Sequence, residues 1–368
     1  MKTYAVILSI FMFLGCNHHE SVDIIFHNGQ IISMASEGEQ FEALAVKDGK
    51  IHALGSSAEL RHLLISDAEV IDLGGHTLLP GFIDAHSHIS MGMEVAAWAN
   101  LSSPPVSDVG SVSDIVKKLQ SHYSGKELGA NDWIVGWGYD PDLLVDQRHP
   151  NKFDLDDAFP DKPVFLIHVS GHLGVVNSVG LDRLGWSSET VNPMGGQIMR
   201  IRGSAEPDGL VAESAMHMVR HQLPQPDSAD LIELAHKAFN LYVSNGITTA
   251  NDGFSAKEHI HNLEWLKGQM TFPIDVISLV GFTDFADVMK ESPIQFGEYD
   301  ERLKYAGVKI VADGSPQGKT AFMTDPYLTE VPGCAHDCRG ISVVNQKQLD
   351  GLLSQLYGQG IQVYTHCN

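Results

Sequence analysis

From residue 77 onward, apolar runs of strand length alternate with amphipathic stretches of helix length. Strands are predicted at residues 77–86, 247–252, 274–280, 305–312 and 361–366, and helices at 228–245, 257–267, 285–291 and 346–357. This alternation is typical of parallel β/α units, because the chain must cross back over the sheet before the next parallel strand begins. It predicts an α/β fold of the (β/α)8 TIM-type barrel class, of which these are the first five strands.

Five strands cannot close an eight-stranded barrel, so two interpretations stay open. Either the sequence is a fragment of a longer chain, which we favour, or the fold is an open sheet. Residues 22–79 hold short alternating runs separated by Asn-Gly and Asp-Gly turns, which predict a small N-terminal β-sandwich module. Residues 101–226 are too long for a loop and predict a structured insertion after strand one. The incomplete barrel then occupies residues 77–368.

The first sixteen residues have the layout of a secretory signal peptide. Lys2 supplies a positive charge, Tyr4 to Leu14 are apolar, and Gly15-Cys16 follows. This junction resembles the cleavage and lipidation site of bacterial lipoproteins, in which Cys16 carries the lipid. We therefore expect a secreted protein, periplasmic or at the outer membrane, that contacts a membrane only through this lipid. The alternative is a buried N-terminal strand.

Composition narrows the class of partner. The chain has 43% hydrophobic and 19% charged residues, which is a globular balance, and its formal net charge is -22. Binding to nucleic acid depends on Lys and Arg that neutralise phosphates, so this acidity argues against a nucleic-acid partner. After residue 20, no run of eighteen uncharged apolar residues indicates a membrane span. A small molecule is the expected partner.

His86 and His88 follow a predicted apolar strand and the Pro80-Gly81 pair. Residues two apart on a strand point to the same face, and the C-terminal ends of barrel strands carry the active sites of such enzymes. Two imidazoles on one rigid edge can chelate a divalent metal. A His-x-His pair alone is weak evidence in a chain with 19 histidines, but its position after this strand makes it specific.

These residues and four further segments resemble one enzyme family. The segments are residues 80–88, 136–139, 168–178, 246–249 and 308–315. Together they are similar to the amidohydrolase superfamily, and within it to the amidohydrolase 3 branch, which includes N-substituted formamide deformylases. The similarity runs from about residue 22 to the last residue.

The resemblance implies two further metal ligands. Lys309 lies on the predicted fourth strand, and in many family members the lysine at this place is carbamylated and bridges two metals. His366 ends the fifth strand, where the family has a metal-binding histidine. A buried Lys is costly unless it is neutralised or used, so the alternative for Lys309 is an ion pair with Asp313 or another carboxylate. The alternative for His366 is a hydrogen-bonded core histidine.

Other polar residues are candidates for supporting roles. His172 ends a predicted strand of the insertion, and we expect it either to polarise the substrate carbonyl or only to line the pocket. His168 and Asn177 lie beside it in the sequence and have the same two interpretations. Three carboxylates either orient metal ligands or are ordinary solvated or helix-capping groups: Glu213, Asp252 and Asp313.

Cys334 and Cys338 lie in a turn-rich segment. In an oxidising compartment they close a disulfide loop or remain thiols. The alternative is a second metal site that also uses His336, although such a pair supplies too few of the usual four ligands.

The expected activity is the hydrolysis of a C–N bond in an amide or cyclic amide by metal-activated water. One or two divalent metal ions are expected, with zinc as the first candidate. Two alternatives remain. The same chemistry cleaves an ester, lactone or phosphoester, or the protein is a surface lipoprotein that binds a ligand without catalysis.

Overall fold

The computed structural model describes residues 21–65, 67–129, 131–224, 226–291, 293–331, 333–334 and 336–368. The predicted signal peptide, residues 1–16 with Cys16, lies outside these ranges. The chain divides into two compact units, one that ends at Gly81 and one that spans Phe82–Asn368.

The first unit is built from two small sheets. Its strands are β1 (Ile24–His27), β2 (Gln30–Ile32), β3 (Gln40–Phe41), β4 (Ala43–Lys47), β5 (Lys50–Gly55), β6 (Glu69–Asp72) and β7 (Thr77–Leu78). One sheet has the order β5-β4-β1-β6, and the other has the order β3-β2-β7. Ile25, Ala45 and Leu60 are among the buried side chains of its core.

The first unit also contains a 3-10 helix at Leu60–Ile65, and the second unit contains the other helices and strands of the described residues. In chain order they are β8 (Phe82–Ile83), α1 (Ile89–Val95), β9 (Ala99–Asn100), α2 (Val112–Tyr123), β10 (Ile134–Tyr139), α3 (Lys152–Asp156), β11 (Val164–His168), β12 (Leu173–Val176), α4 (Ser178–Leu184), β13 (Gly196–Arg200), β14 (Pro207–Glu213), α5 (Ser214–Arg220), α6 (Ser228–Ser244), β15 (Ile247–Ser255), α7 (Lys257–Lys267), β16 (Asp275–Gly281), α8 (Phe285–Glu291), β17 (Tyr299–Asp300), β18 (Leu303–Val311), α9 (Gln346–Gly358) and β19 (Val363–His366).

Five strands form a parallel sheet in the order β8-β15-β16-β18-β19, and the short β17 pairs antiparallel with the start of β18. Helices α6 and α7 pack on this sheet through one apolar face each, which includes Ala235, Phe239 and Ile260. The side chain of Asp227 accepts hydrogen bonds from the first turn of α6 and so fixes where that helix begins. The predicted α/β class is confirmed.

The predicted insertion folds as a second sheet of six strands in the order β13-β14-β12-β11-β10-β9. Its strands β10 and β11 are parallel, whereas β12, β14 and β13 pair antiparallel. Phe165, Leu166 and Val211 are fully buried in two apolar clusters on its faces. Asn177, one of the candidate polar residues, caps α4 and accepts from Val164 N at 2.9 Å, so its contacts are structural.

The prediction of one buried strand over residues 77–86 is wrong. The structure has β7, which pairs with β2, and then β8, which pairs with β15. Pro80-Gly81 separates them, because proline lacks the N–H that a sheet ladder needs. Phe82 is also exposed, since β8 has only one neighbouring strand in the described part of the chain.

Cys334 and Cys338 form a disulfide with their Cα atoms 5.9 Å apart, which agrees with the predicted disulfide loop rather than with a metal site. Across the described ranges, the helices are all too short or too polar to cross a lipid bilayer.

Candidate active site

Side chains from both sheets of the second unit surround one cavity of about 1120 Å³. Residues that line this cavity lie directly after β8, at the end of β18, at the end of β19 and in the turn between β11 and β12. These are the places where the sequence predicted functional residues. The cavity lining contains His86, His88, His172, Lys309 and His366.

His86 and His88 lie in a bent segment after β8, in which Ser87 makes a parallel bridge to Asp252. The Ser87 hydroxyl hydrogen-bonds Tyr242 Oη at 2.7 Å and Asn251 O at 2.9 Å, so it is held away from the cavity. The two imidazoles on either side of it both face the cavity, with ring centroids 5.3 Å apart and ring planes at 78°.

A glycine makes room for His86. A Cβ atom added to Gly253 on β15 would lie 2.4 Å from Cε1 and 2.8 Å from Nδ1 of the His86 ring. Such distances are far inside van der Waals contact, so only a residue without a side chain allows the ring to lie against this strand. No local sequence pattern predicts this contact, because the two residues are brought together only by the pairing of β15 with β8.

Both imidazoles are biased toward their neutral form. Burial lowers the pKa of His88 to about 4, and the positive charges around it act in the same direction against the opposing charge of Asp252. Burial and the charge of Lys309 lower the pKa of His86 as well. Neutral imidazole is the form that binds metals, since its free nitrogen lone pair is the ligand.

Lys309 reaches the cavity from β18 and is 8% exposed. Within the described residues its amine has neither a hydrogen bond nor an ion pair, and burial lowers its pKa. The alternative of an ion pair with Asp313 is not what the structure has. Asp313 Oδ2 instead accepts from Phe322 N at 2.9 Å, and its Oδ1 is 4.0 Å from His366 Nε2.

His366 lies at the end of β19 with its Nε2 2.9 Å from the carbonyl oxygen of Gly314. The same Nε2 is also 2.9 Å from the side-chain amide nitrogen of Asn368, which only donates. The ring centroid of His366 is 5.6 Å from that of His172. The insertion therefore brings His172 next to one of the predicted ligands.

His168 does not face the cavity. It is fully buried, its Nδ1 accepts from Ser170 N at 3.1 Å, and burial lowers its pKa to about 3. Asp252, which is also fully buried, accepts from the hydroxyls of Ser90 and Ser255 at 2.6 Å each. Its charge acts on His88, but among the described residues it makes no hydrogen bond to either imidazole.

A sequence profile of the amidohydrolase family matches residues 69–368, which is more than half of the chain. The chain belongs to the amidohydrolase family. This confirms the resemblance that the sequence segments indicated.

The amidohydrolase is 30% identical over 235 residues to N-substituted formamide deformylase from Arthrobacter pascens, a match that covers 62% of this chain and 42% of that protein. It is 26% identical over 354 residues to Protein LONG AFTER FAR-RED 3 from Arabidopsis thaliana, with coverage of 94% and 58%. An uncharacterized metal-dependent hydrolase from Pyrococcus horikoshii shares the fold with a TM-score of 0.66 at 21% identity, with coverage of 94% and 65%. The chain thus spans less than two thirds of each relative.

The donor atoms of this amidohydrolase fit a divalent metal in their chemistry. Two imidazoles biased to the neutral form lie side by side, the amine of Lys309 lines the same cavity, and Gly253 makes space for the first ring. Among the described residues, no three His, Cys, Asp or Glu side chains converge closely enough to hold an ion. Lys309 and His366 line the same cavity, and Lys309 offers a donor of another kind.

The cavity is also lined by a charged cluster that the sequence did not predict. Glu94 on α1 forms an ion pair with Arg220 on α5, and its Oε1 is 2.8 Å from Nε2 of His259 on α7. Burial opposes the ionisation of Glu94, yet the charge of Arg220 and the hydrogen bond from His259 lower its pKa to about 2. No local pattern predicts such a cluster, because its members come from three helices that are distant in the sequence.

Proposed function

We propose that this amidohydrolase hydrolyses the C–N bond of an amide or cyclic amide with the help of one or two divalent metal ions, of zinc in the first instance. His86, His88, Lys309 and His366 are the proposed ligands. The observation that carries the proposal is the buried amine of Lys309, which has no partner among the described residues and lines the same cavity as two imidazoles biased toward the neutral form.

A bound divalent metal supplies Lewis-acid chemistry, since it polarises the scissile carbonyl and lowers the pKa of water. The surroundings of Lys309 favour its conversion into a metal ligand. Burial lowers the pKa of Lys309, which raises the fraction of neutral amine. The neutral amine adds to carbon dioxide and releases one proton, and the resulting carbamate is an anionic oxygen ligand of the kind that the imidazoles lack.

The cavity walls favour an amide with an apolar substituent. Trp98, Trp133, Phe254 and Phe282 line the cavity and provide flat apolar surface. A relative bears the name N-substituted formamide deformylase, which describes an enzyme that acts on such an amide. We assign to His172 the role of contacting the substrate carbonyl. We also propose that the parallel sheet is part of a closed (β/α)8 barrel, with the site at its rim.

The test is the metal content of the purified protein after dialysis against zinc, measured for the unaltered protein and for the double variant His86→Ala/His88→Ala. The matched control is His62→Ala/His236→Ala, which removes two exposed histidines. We expect the control to retain zinc and the first variant to lose it. Equal zinc in all three proteins would overturn the metal assignment.

Release of amine from an N-substituted formamide, compared with release of alcohol from the matching formate ester, tests the bond that is broken. We expect turnover of the amide that depends on zinc and is lost in His86→Ala/His88→Ala. Turnover of the ester alone would replace the amide assignment with the ester one.

A further inference from the structure

We propose that Glu213 is a positioning residue for His172: its carboxylate holds the imidazole proton on Nδ1 and leaves Nε2 for the substrate in the cavity. This inference rests on the proposed function, because it is there that His172 contacts the substrate carbonyl. It concerns a pair of residues that no local pattern joins, since they are 41 positions apart.

The contact is short and largely shielded from solvent. Glu213 Oε2 lies 2.9 Å from His172 Nδ1, and the two side chains are 2% and 17% exposed. An ionised carboxylate only accepts hydrogen bonds, so Nδ1 must carry the proton in this pair. The other ring nitrogen, Nε2, has no hydrogen-bond partner in the part of the chain that the structure describes, and His172 lines the cavity. An imidazole that is held by a hydrogen bond at one nitrogen and has no partner at the other is suited to contact a ligand.

The backbone of Glu213 is strained in a way that a purely structural residue would not need. It has φ of 52° and ψ of −125° at the junction between β14 and α5, a region that favours glycine. Outliers of this kind persist where the surrounding structure enforces them, often beside functional groups. A glycine would relieve the strain but would remove the carboxylate from His172.

The second oxygen of Glu213 also indicates that the residue is held for its contact with His172. Oε1 is buried and has no hydrogen-bond partner within the described ranges. Most buried polar atoms of structural networks are paired, so a carboxylate with one satisfied oxygen is unusual. A Cβ atom on Gly314 would lie 2.3 Å from Oε1, which shows that this glycine leaves the space in which the carboxylate fits.

The Glu213–His172 pair lies close to the proposed metal ligands, so the orientation of the His172 ring matters for the site. The His172 ring is 5.6 Å from the ring of His366, and both line the same cavity as Lys309. His172 belongs to the insertion, whereas His366 and Lys309 belong to the parallel sheet. Glu213 thus fixes a group of the insertion against the end of that sheet at which the metal ligands are proposed.

The tautomer of His172 is the direct test, and it requires no substrate. In protein labelled with ¹⁵N-histidine, the His172 ring signals are identified by their loss in His172→Ala. We expect the Nδ1–H tautomer in the unaltered protein and in the control Glu189→Ala, which changes an exposed glutamate. In Glu213→Ala we expect a mixture with the Nε2–H form. An unchanged Nδ1–H tautomer in Glu213→Ala, or an Nε2–H form in the unaltered protein, overturns the proposal.

Glu213→Gly is a second variant that keeps the test valid if Glu213→Ala does not fold, because glycine suits the backbone at this position. We expect it to have a urea unfolding midpoint no lower than that of Glu213→Ala and yet to lose the fixed tautomer. A folded Glu213→Gly protein that keeps the Nδ1–H form contradicts the assignment.

A double-mutant cycle on amide turnover separates positioning from independent catalysis. We expect Glu213→Ala and His172→Ala each to lower kcat by about a hundredfold, and the double variant to lose no more than His172→Ala alone. Losses that multiply would show that Glu213 acts without His172. A protein without amide turnover contradicts the proposed function, whereas the tautomer experiment still decides the role of Glu213.

Discussion

At the scale of single residues, Gly253 decides where a proposed metal ligand can lie. The ring of His86 occupies the volume that any Cβ at this position would take. We predict that Gly253→Ala lowers zinc affinity by roughly tenfold to a hundredfold, because a shifted ligand costs about as much as the loss of a group that orients it. Zinc titration followed by calorimetry measures this effect.

The control for Gly253→Ala is Gly351→Ala on α9, where an added Cβ meets no atom within 4 Å. Its zinc affinity is expected to stay at the value of the unaltered protein. If Gly253→Ala binds zinc equally well, His86 is not a ligand in the position described.

A buried neutral histidine makes the free energy of unfolding depend on pH. Burial lowers the pKa of His168 to about 3, whereas the unfolded chain has the ordinary value of 6.5. Between these values the unfolded state binds more protons, so the free energy of unfolding decreases as pH falls from about 6.5 toward 3. From pH 7 to pH 5, this residue alone accounts for a loss of about 2 kcal/mol.

Urea denaturation at pH 7 and pH 5 in the presence of a chelator measures that loss. His168→Asn keeps an acceptor for Ser170 N but cannot take up a proton in this range. The variant should therefore lose less stability than the unaltered protein between the two pH values. An equal loss in both proteins would falsify the role assigned to His168.

At the scale of elements, the ion pairs of Glu94 join three helices. Arg220 on α5 and His259 on α7 both contact this carboxylate on α1, and α5 belongs to the insertion. Removing one partner from a largely buried pair leaves an uncompensated charge. We predict that Glu94→Ala lowers the free energy of unfolding by about 3 kcal/mol in urea denaturation.

Glu233→Ala is the comparison for Glu94→Ala, because Glu233 pairs with Lys237 on the exposed side of α6. Such a surface pair contributes less than about 0.5 kcal/mol. Similar small effects for both variants would mean that the cluster does not hold the helices together.

Local signals also explain why most elements were predictable. The helix α7 was predicted with its observed bounds, and α9 within one residue of its observed end. In α9, Asn345 and Gln348 form a capping box that satisfies the first backbone N–H groups. Apolar periodicity and caps depend on residues a few positions apart, so they are visible without tertiary structure.

At the scale of the whole molecule, the first sixteen residues predict the location of the protein. The signal-peptide layout with Cys16 leads us to expect a lipid-modified protein outside the inner membrane. In a bacterial host, we predict that labelled palmitate is incorporated into the unaltered protein and that the protein sediments with membranes. Cys16→Ser should lose both properties, whereas Cys367→Ser should keep them. Labelling that survives Cys16→Ser excludes this cysteine as the lipid site.

The amino-acid order alone predicted the alternation of strands and helices, the family, and several residues that line the cavity at the ends of strands. It did so because periodicity, turns and the His-x-His segment are local features. It also joined two segments wrongly, since the single strand expected over residues 77–86 is divided between the two units. The hydrophobic pattern is continuous there, and only strand pairing distinguishes β7 from β8.

Which distant residues contact one another depends on the three-dimensional fold. His259 and Glu94 are 165 positions apart, and Gly253 reaches His86 through the pairing of two strands. The left-handed backbone of Glu213, and the lack of a partner for Lys309 among the described residues, likewise depend on everything that packs around them. Such contacts arise because folding brings distant segments into one dense interior, and no short window of sequence contains that information.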